Sequence, residues 1–555
     1  MTIETQATRN PPDERYDLIL VGSGMGALTV GSLMARIRGK RVLVVERHFK
    51  AGGFTHTFRR KQFQWDVGLH YVGQMGDDAF AGRLMALVTG GQVRWRPMPE
   101  PFERFVYPGL TFDLFGGKDR FESELVRLFP HEGRAIARYT RDVRKAASAY
   151  GLWVTRRNGS AVARFVATAA GWFRPANWKL TTKEYLDRHF QEPALKAVLA
   201  SQWGDYGLPP SRSPFPLHAL IVQHYLGGGY YPEGGAGKIA AAVEDAIEAA
   251  GGRILVGHEV TEILVRQGRA CGVKVRKTNP AGGGASVEYF APVIVSDAGA
   301  LATYTRLVPR DAPIPFRDDL AEFARGHPPA TNVTLYLGFT GDPRTLGFKG
   351  ENHWIYAGLD HEQAYARRGA WIEDGQIPQV YLSFPSLKDP QATSHTAEII
   401  AWADYDCFAR WREQPWRRRD QDYQTLKERI AGWLIEFVER RYPGFAALIA
   451  YRELSTPITN EFFTGQTAGG IYGLPSVAER FDPQNDAWHH PRTPIPGLFL
   501  TGADVAALGI VGAMIGGMTT LGHLPEGIST VEIARAAARL AEKRRKAFAR
   551  TTRDA

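Results

Sequence analysis

Glu46 and the small residues of Gly22-Ser23-Gly24-Met25-Gly26-Ala27 are the groups whose types and spacing first point to chemistry. Gly22, Gly24 and Ala27 fit the G-x-G-x-x-G/A turn, in which missing side chains let backbone N–H groups close on a pyrophosphate at a helix N-terminus. Glu46 ends the next apolar run, at the spacing of about 20 residues where a carboxylate accepts hydrogen bonds from adenosine ribose hydroxyls. With Met25 and Gly26 inside the turn, the set reads as an adenine dinucleotide site. An acid at the ribose also disfavours the 2′-phosphate of NADP.

The stretch after Glu46 narrows the choice. Arg47 leads through a short polar segment to Gly52-Gly53 and then Phe54, Thr55 and His56, an E-R-x-x-x-x-G-G pattern. A flavin needs a second close backbone approach beyond the adenosine, so the pattern points to FAD and adds Arg47, Gly53, Thr55 and His56 to the binding set. Far along the chain, PGLFLTGADVAALGIVGAMIGGMTT from Pro496 to Thr520 makes the same case. Gly502 lies in a turn and Asp504 can meet the ribityl or pyrophosphate region. Val511 stands near the start of a helix of small residues whose N-terminus suits an electron-rich cofactor edge. No cysteine attachment context lies near these motifs, so the FAD is expected to be noncovalent.

The elements that must position these residues follow from apolar runs. Leu18 to Val21 and Val42 to Val45 read as buried strands flanking the first helix, and Leu498 to Leu500 as a strand before the last turn. Tyr231 to Ile239 opens a helix over Ala240 to Ala250, followed by strands at Arg253–Val256 and Val260–Val265, and Val293 to Asp297 returns the chain to the same sheet. The Tyr231 segment is not a phosphate-binding Walker loop, because Pro232 and Ile239 stand where that loop needs Gly and Ser or Thr. Val505 to Met518 is uncharged but short of the roughly 20 residues that a membrane span demands.

At 555 residues the chain exceeds one hydrophobic core and implies about two domains. The spread of the cofactor motifs predicts an α/β fold of the two-dinucleotide-binding-domain flavoprotein type. Its Rossmann-like FAD domain is discontinuous, over 14–80, 225–300 and 485–526. An interleaved α+β substrate and membrane-facing domain covers 81–224 and 301–484, and a basic C-terminal helix covers 527–555. Two cysteines, Cys271 and Cys407, leave no disulfide framework or zinc cluster and suggest a reducing compartment. The polar N-terminus lacks the apolar segment of a secretory signal, so a cytoplasmic protein without signal peptide or transmembrane helix is expected.

The motifs together are similar to the phytoene desaturase, carotenoid isomerase and retinol saturase group of flavoproteins. The likeness rests on VGSGMGALTVGSLMARIRGKRVLVVERHFKAGGFTHTF, DVGLHYVG from Asp66, QWGDYGLPPSRSPFPLHA from Gln202, YYPEGGAGKIA from Tyr230 and PGLFLTGADVAALGIVGAM. DVGLHYVG and QWGDYGLPPS draw it toward the saturase branch, although Phe54 and Thr55 stand where that branch is expected to carry cysteines. The resemblance implies backbone contact to adenine near Val260. It also implies a flavin face lined by Tyr71, Tyr472 and the glycines of Ala468-Gly469-Gly470.

The implied reaction adds or removes hydrogen at a carbon–carbon double bond of a retinoid, carotenoid or unsaturated fatty acyl chain, by hydride exchange with flavin N5. His70, in DVGLHYVG, is the expected catalytic or flavin-contacting residue, since a neutral imidazole both donates and accepts near neutral pH. A non-redox polyene isomerase or a lipid-binding flavoprotein is the alternative, and an amine oxidase a weaker one. The electron partner is not legible.

A net charge of +10 needs a reason. The cations are scattered and no nucleic-acid module is present, so nucleic acid is not the expected partner. Trp153 to Lys179 instead interleaves Trp153, Phe165, Trp172, Phe173 and Trp178 with Arg156, Arg157, Arg164, Arg174 and Lys179, without an acid. That composition predicts a peripheral docking element on the inner face of a membrane, next to the entrance for a hydrophobic lipid substrate. The C-terminal stretch from Val531 to Arg553 is basic too, but its apolar face is mostly alanine.

Overall fold

The computed structural model describes residues 15–158, 161–173, 178–278 and 285–551. Arg174 of the expected docking stretch and most of the loop from Pro280 to Ala285 lie outside the described residues, as do the side chains of Arg157, Arg164, Trp172 and Phe173.

Runs such as LILV and VLVV are fully buried because both faces of a parallel sheet are covered, one by helices and the other by an antiparallel sheet. That sheet has five strands in the order Arg253–Leu255, Val42–Val45, Leu18–Val21, Val293–Ser296 and Leu498–Leu500, all paired in parallel. Helices Met25–Arg38, Gly237–Ala249 and Gly509–Leu521 pack on it. The last of these is glycine-rich because it lies close against the first: a β-carbon on Gly517 would press on the Gly26 carbonyl and on Thr29. No helix among the described residues is long and apolar enough to cross a membrane.

The expected pair of successive strands after the Tyr231 segment divides between two sheets. Gly257, at φ 66°, turns the chain out of the parallel sheet, and His258–Arg266 joins Arg269–Lys277 and Val287–Phe290 in an antiparallel sheet.

A seven-stranded sheet faces the cofactor sheet across the core. Its order is Ile449–Ser455, Asn332–Phe339, His395–Trp402, Gln379–Ser383, Asn352–Tyr356, Glu103–Tyr107 and Leu110–Leu114. Asn332–Phe339 is buried at all eight positions, against helix Gln421–Glu439 on one side and the site on the other. Helices Gly133–Asn158 and Phe215–Tyr225 pack together beside the short 3-10 helix Ser201–Asp205.

Trp153, one aromatic of the expected docking stretch, lies in the core. It is 7% exposed, in an aromatic cluster with Tyr150, Trp178 and Phe481, where the Trp178 and Phe481 rings stack at 4.1 Å. Spacing alone did not separate a core face from an interfacial one. On the next helix, Ala161–Phe173, Phe165 is 75% exposed beside an exposed Val166. The C-terminal helix Thr530–Thr551 packs Ile533 and Ala537 into the cofactor half, and Glu532 pairs with Arg38 at 2.8 Å.

Candidate active site

The glycine turn opens the site. Gly22 has φ 92°, and Gly24 caps the first helix without a side chain, which leaves its first N–H groups open to a ligand. Asp297, from the end of the fourth strand, reaches into this turn and accepts the Ala27 N–H at 3.2 Å. A β-carbon on Gly24 would collide with the Asp297 carboxylate, and one on Gly26 with the backbone of Gly502. Gly24 thus leaves room at the turn, while Gly26 and Gly502 let two backbones meet.

Glu46 is buried with three of its lone-pair sites in use. Its Oε2 accepts the Ser23 N–H at 2.9 Å and the Ser23 hydroxyl at 2.7 Å, and Oε1 accepts the His48 N–H at 2.7 Å. The fourth site, on Oε1, is open to a further donor. Burial raises the Glu46 pKa and these hydrogen bonds oppose the rise. Ser23 Oγ in turn accepts the Gly52 N–H at 2.9 Å, which ties the second glycine pair to the first.

A cavity of about 530 Å³ runs from this turn to the seven-stranded sheet. Of the residues expected to hold a cofactor, Gly22, Gly24, Met25, Glu46, Arg47, Gly53, Thr55, His56, Val260 and Asp504 line it. Four do not: Gly26, Ala27, Gly502 and Val511. Val511 packs against the apolar cluster under the first helix, because Ile510 and Ala513, three apart on one helical face, take the cavity side. Asp504 reaches the cavity with its carboxylate already engaged: Oδ1 accepts the Leu474 N–H at 2.8 Å and Oδ2 the Ala300 N–H at 2.7 Å. Arg47, Arg276 and Arg306 add three cations to the lining. Nearby, burial and neighbouring cations pull His48 down to about 3, so it stays neutral. The Tyr231 segment stays outside, its hydroxyl and the Ala236 N–H held by buried Asp66.

His70 reaches the cavity from the other side, with Nδ1 at 2.7 Å from Glu398 Oε2. Beneath it, Lys388 Nζ donates to the His70 carbonyl at 2.8 Å, to Asn352 Oδ1 at 2.5 Å and to Ser383 Oγ at 2.6 Å. Burial lowers Lys388 to about 7 against the pull of Glu398 and Asp66. Tyr71 and Tyr472 line the cavity as well, and Gly470 is the member of the Ala468–Gly470 group that does. Trp354, Tyr381, Ile400 and Trp402 give the chamber an aromatic and aliphatic wall, in which the Tyr381 hydroxyl and the Gln379 side-chain amide oxygen are buried without a partner.

Asp205, Glu103, Asp297 and Arg306 carry much of the site and were not among the expected residues. Tyr71 Oη lies 2.7 Å from Glu103 Oε1 and 2.9 Å from Asp205 Oδ2. Glu103 also accepts from the Trp354 indole at 2.7 Å and the Gln202 amide at 3.0 Å. The signal for this set was the motif QWGDYG: in a 3-10 helix residues three apart eclipse, so Gln202 and Asp205 share one face toward Glu103 and Tyr71.

A Rossmann-like turn, a ribose-side carboxylate and a chamber walled by a second sheet define a dinucleotide-dependent oxidoreductase. Residues 20–87 match the NAD(P)-binding Rossmann-like domain family. Over 537 residues the chain is 33% identical to the all-trans-retinol 13,14-reductase of Danio rerio, covering 92% of this chain and 86% of that one. It is 24% identical over 482 residues to prolycopene isomerase 1, chloroplastic, of an Oncidium hybrid cultivar, covering 83% and 76%. Cyclohexylamine oxidase from Brevibacterium oxydans IH-35A shares the fold, with a TM-score of 0.55 at 16% identity over 96% of this chain and 99% of that one. The chain belongs to the all-trans-retinol 13,14-reductase family and is an oxidoreductase.

Proposed function

We propose that this protein uses noncovalent FAD to add hydrogen across a conjugated carbon–carbon double bond of a hydrophobic polyene of the retinoid or carotenoid kind. The observation that carries this reading is the continuity of one cavity, from the glycine turn and Glu46 to the chamber of Trp354, Ile400, Trp402 and Tyr472. The residues present suit FAD. A β-carbon on Gly53 would stand 3.2 Å from the Gly24 Cα, so the two glycine turns close on each other where a pyrophosphate needs backbone approach. Three arginines stand in the same lining, and neither cysteine does. When bound, the flavin supplies hydride; the chain binds and orients the polyene, keeps water out and holds the proton.

The substrate class follows from the relative, whose name states reduction of all-trans-retinol, and from a wall richer in apolar than in charged side chains. Isomerisation without net reduction is the second reading, favoured by the likeness to prolycopene isomerase. Membrane docking fits the exposed Phe165 and Val166 on helix Ala161–Phe173, which offer apolar groups next to basic sequence. The cofactor half is formed by 14–80, 225–300 and 485–526, and the substrate half by 81–224 and 301–484.

The test is anaerobic. Protein reduced by light is mixed with all-trans-retinol or a carotenoid, and flavin absorbance and product mass are followed. Reoxidation of the flavin with a product heavier by two hydrogens is expected. A rearranged product of unchanged mass with the flavin still reduced selects the isomerase. Reduction of the oxidised flavin by amines, with no action on polyenes, would overturn both.

A further inference from the structure

Saturation of a double bond needs a proton as well as a hydride. Tyr71 stands between two carboxyl groups, with Glu103 Oε1 at 2.7 Å and Asp205 Oδ2 at 2.9 Å from its oxygen. A phenol has one hydrogen, so it donates to one carboxylate only, and the second contact is a hydrogen bond only if that carboxyl itself carries a proton. The geometry therefore requires a proton beyond the one on Tyr71. Glu103 is fully buried with both oxygens engaged, whereas Asp205 is half-buried and lines the cavity beside Tyr71.

We propose that Asp205 is the proton donor to the polyene, and that Glu103 and Tyr71 are positioning residues: the Glu103 carboxyl keeps Asp205 loaded and the Tyr71 phenol holds it in place. This rests on the reading of the site as a double-bond reductase. With a bound reduced flavin as the source of hydride for one carbon of the double bond, the π pair would move to the other carbon of that bond. That carbon takes the proton from Asp205: the Asp205 O–H bond breaks, its electron pair stays on the carboxylate, and the π pair forms the second C–H bond. Two electrons and two hydrogens enter the substrate, and reduced flavin is the reductant. Tyr71 then turns its hydroxyl to the new Asp205 carboxylate until a proton from solvent restores the pair.

The surroundings favour a held proton. Burial and the facing carboxylate raise Asp205 well above the usual carboxylate range, and burial raises Glu103 to about 7. Lys388 is the cation acting on Glu103, and Tyr225, Tyr381, Tyr472 and Trp354 face the triad from the other elements. Tyr225 stacks on Tyr71 at 4.2 Å and 11° and fixes the phenol between the acids.

The test combines infrared spectroscopy with turnover. In the FAD-loaded wild type, the carbonyl stretch of a protonated carboxylic acid should persist at neutral pH. One component of it should be lost in Asp205→Asn and shifted in Tyr71→Phe, with flavin absorbance retained in both. The Asp205→Asn rate of polyene reduction should fall by about 10²-fold or more, the usual share of a general acid, and Asp205→Glu should recover part of it. The Tyr71→Phe rate should keep its maximum at low pH and fall off at a higher pH than wild type, because the phenol that donates to the ionised Asp205 is gone. Absence of the acid band from wild type, or Asp205→Asn turnover with the wild-type rate and pH profile, overturns the proposal. If wild type reduces no polyene, the reading of function fails, and the infrared difference between wild type and Asp205→Asn still decides whether the triad holds a proton.

Discussion

Glu46 Oε2 accepts two hydrogen bonds from a single residue, Ser23, through its N–H at 2.9 Å and its hydroxyl at 2.7 Å. The carboxylate at the end of the second strand is therefore the clamp on the glycine turn, and any change there acts on the turn as well.

Replacing Glu46 by Gln should weaken FAD binding about tenfold or more, since hydrogen bonds to a charged group contribute roughly 1.5 to 3 kcal/mol. Ser23→Ala should act in the same direction, and the double variant should lose less than the sum because the two residues share one network. Fluorescence titration of FAD into apoprotein measures this. Full additivity, or wild-type affinity in Glu46→Gln, would sink the clamp.

Gly24→Val should give a folded but colourless protein. The new side chain meets the Asp297 carboxylate, so the turn cannot close on a pyrophosphate. Circular dichroism establishes the fold and visible absorbance the cofactor. A folded variant with full FAD content would contradict the site.

These two tests address residues that were readable from sequence, and the reason is local. LILV and VLVV are continuous apolar runs because both faces of a parallel sheet are covered, and the glycines between them sit at a spacing fixed by a turn. The Asp205, Tyr71 and Glu103 set carries no such period. Its members come from a 3-10 helix, a loop after the strand Phe63–Asp66 and the strand Glu103–Tyr107, and only tertiary packing brings them together. Asp297 was readable as the end of a returning strand but not as a group inside the glycine turn, since that placement depends on parallel pairing with Leu18–Val21. His70 was readable as a cavity residue, whereas its carboxylate neighbour Glu398 lies on a distant strand of the other sheet.

Asp297 should make FAD binding depend on pH. Burial first, with the charges of Glu46 and Asp504 adding to it, raises its pKa from 3.8 to about 7. The folded value lies above the unfolded one, so its contribution to stability is fully present below 3.8 and is lost as pH rises through about 7. The neutral carboxyl tolerates a pyrophosphate beside it and the ionised one repels it. Wild-type affinity for FAD should fall between about pH 6 and about pH 8, while Asp297→Asn should bind with little pH dependence over that range. A wild-type profile as flat as that of the Asn variant would remove Asp297 from the site.

Trp153 and Phe165 should separate packing from docking, because they lie on neighbouring helices and differ in burial. Trp153, 7% exposed, contacts Phe481 with ring centroids 5.2 Å apart, so Trp153→Ala opens a cavity and should cost about 3 to 5 kcal/mol of stability. Phe165, 75% exposed, has little packing to lose, and Phe165→Ser should stay within about 0.5 kcal/mol of wild type. If Ala161–Phe173 meets the bilayer, that same change should weaken flotation with anionic liposomes, and Phe165→Glu with Val166→Glu should abolish it. Apolar insertion and cationic attraction act together at such a surface. Added salt should then reduce wild-type binding only in part, by screening the cations over a Debye length of about 10 Å while leaving the buried ring in place. Flotation by the double Glu variant equal to wild type would place the docking surface elsewhere.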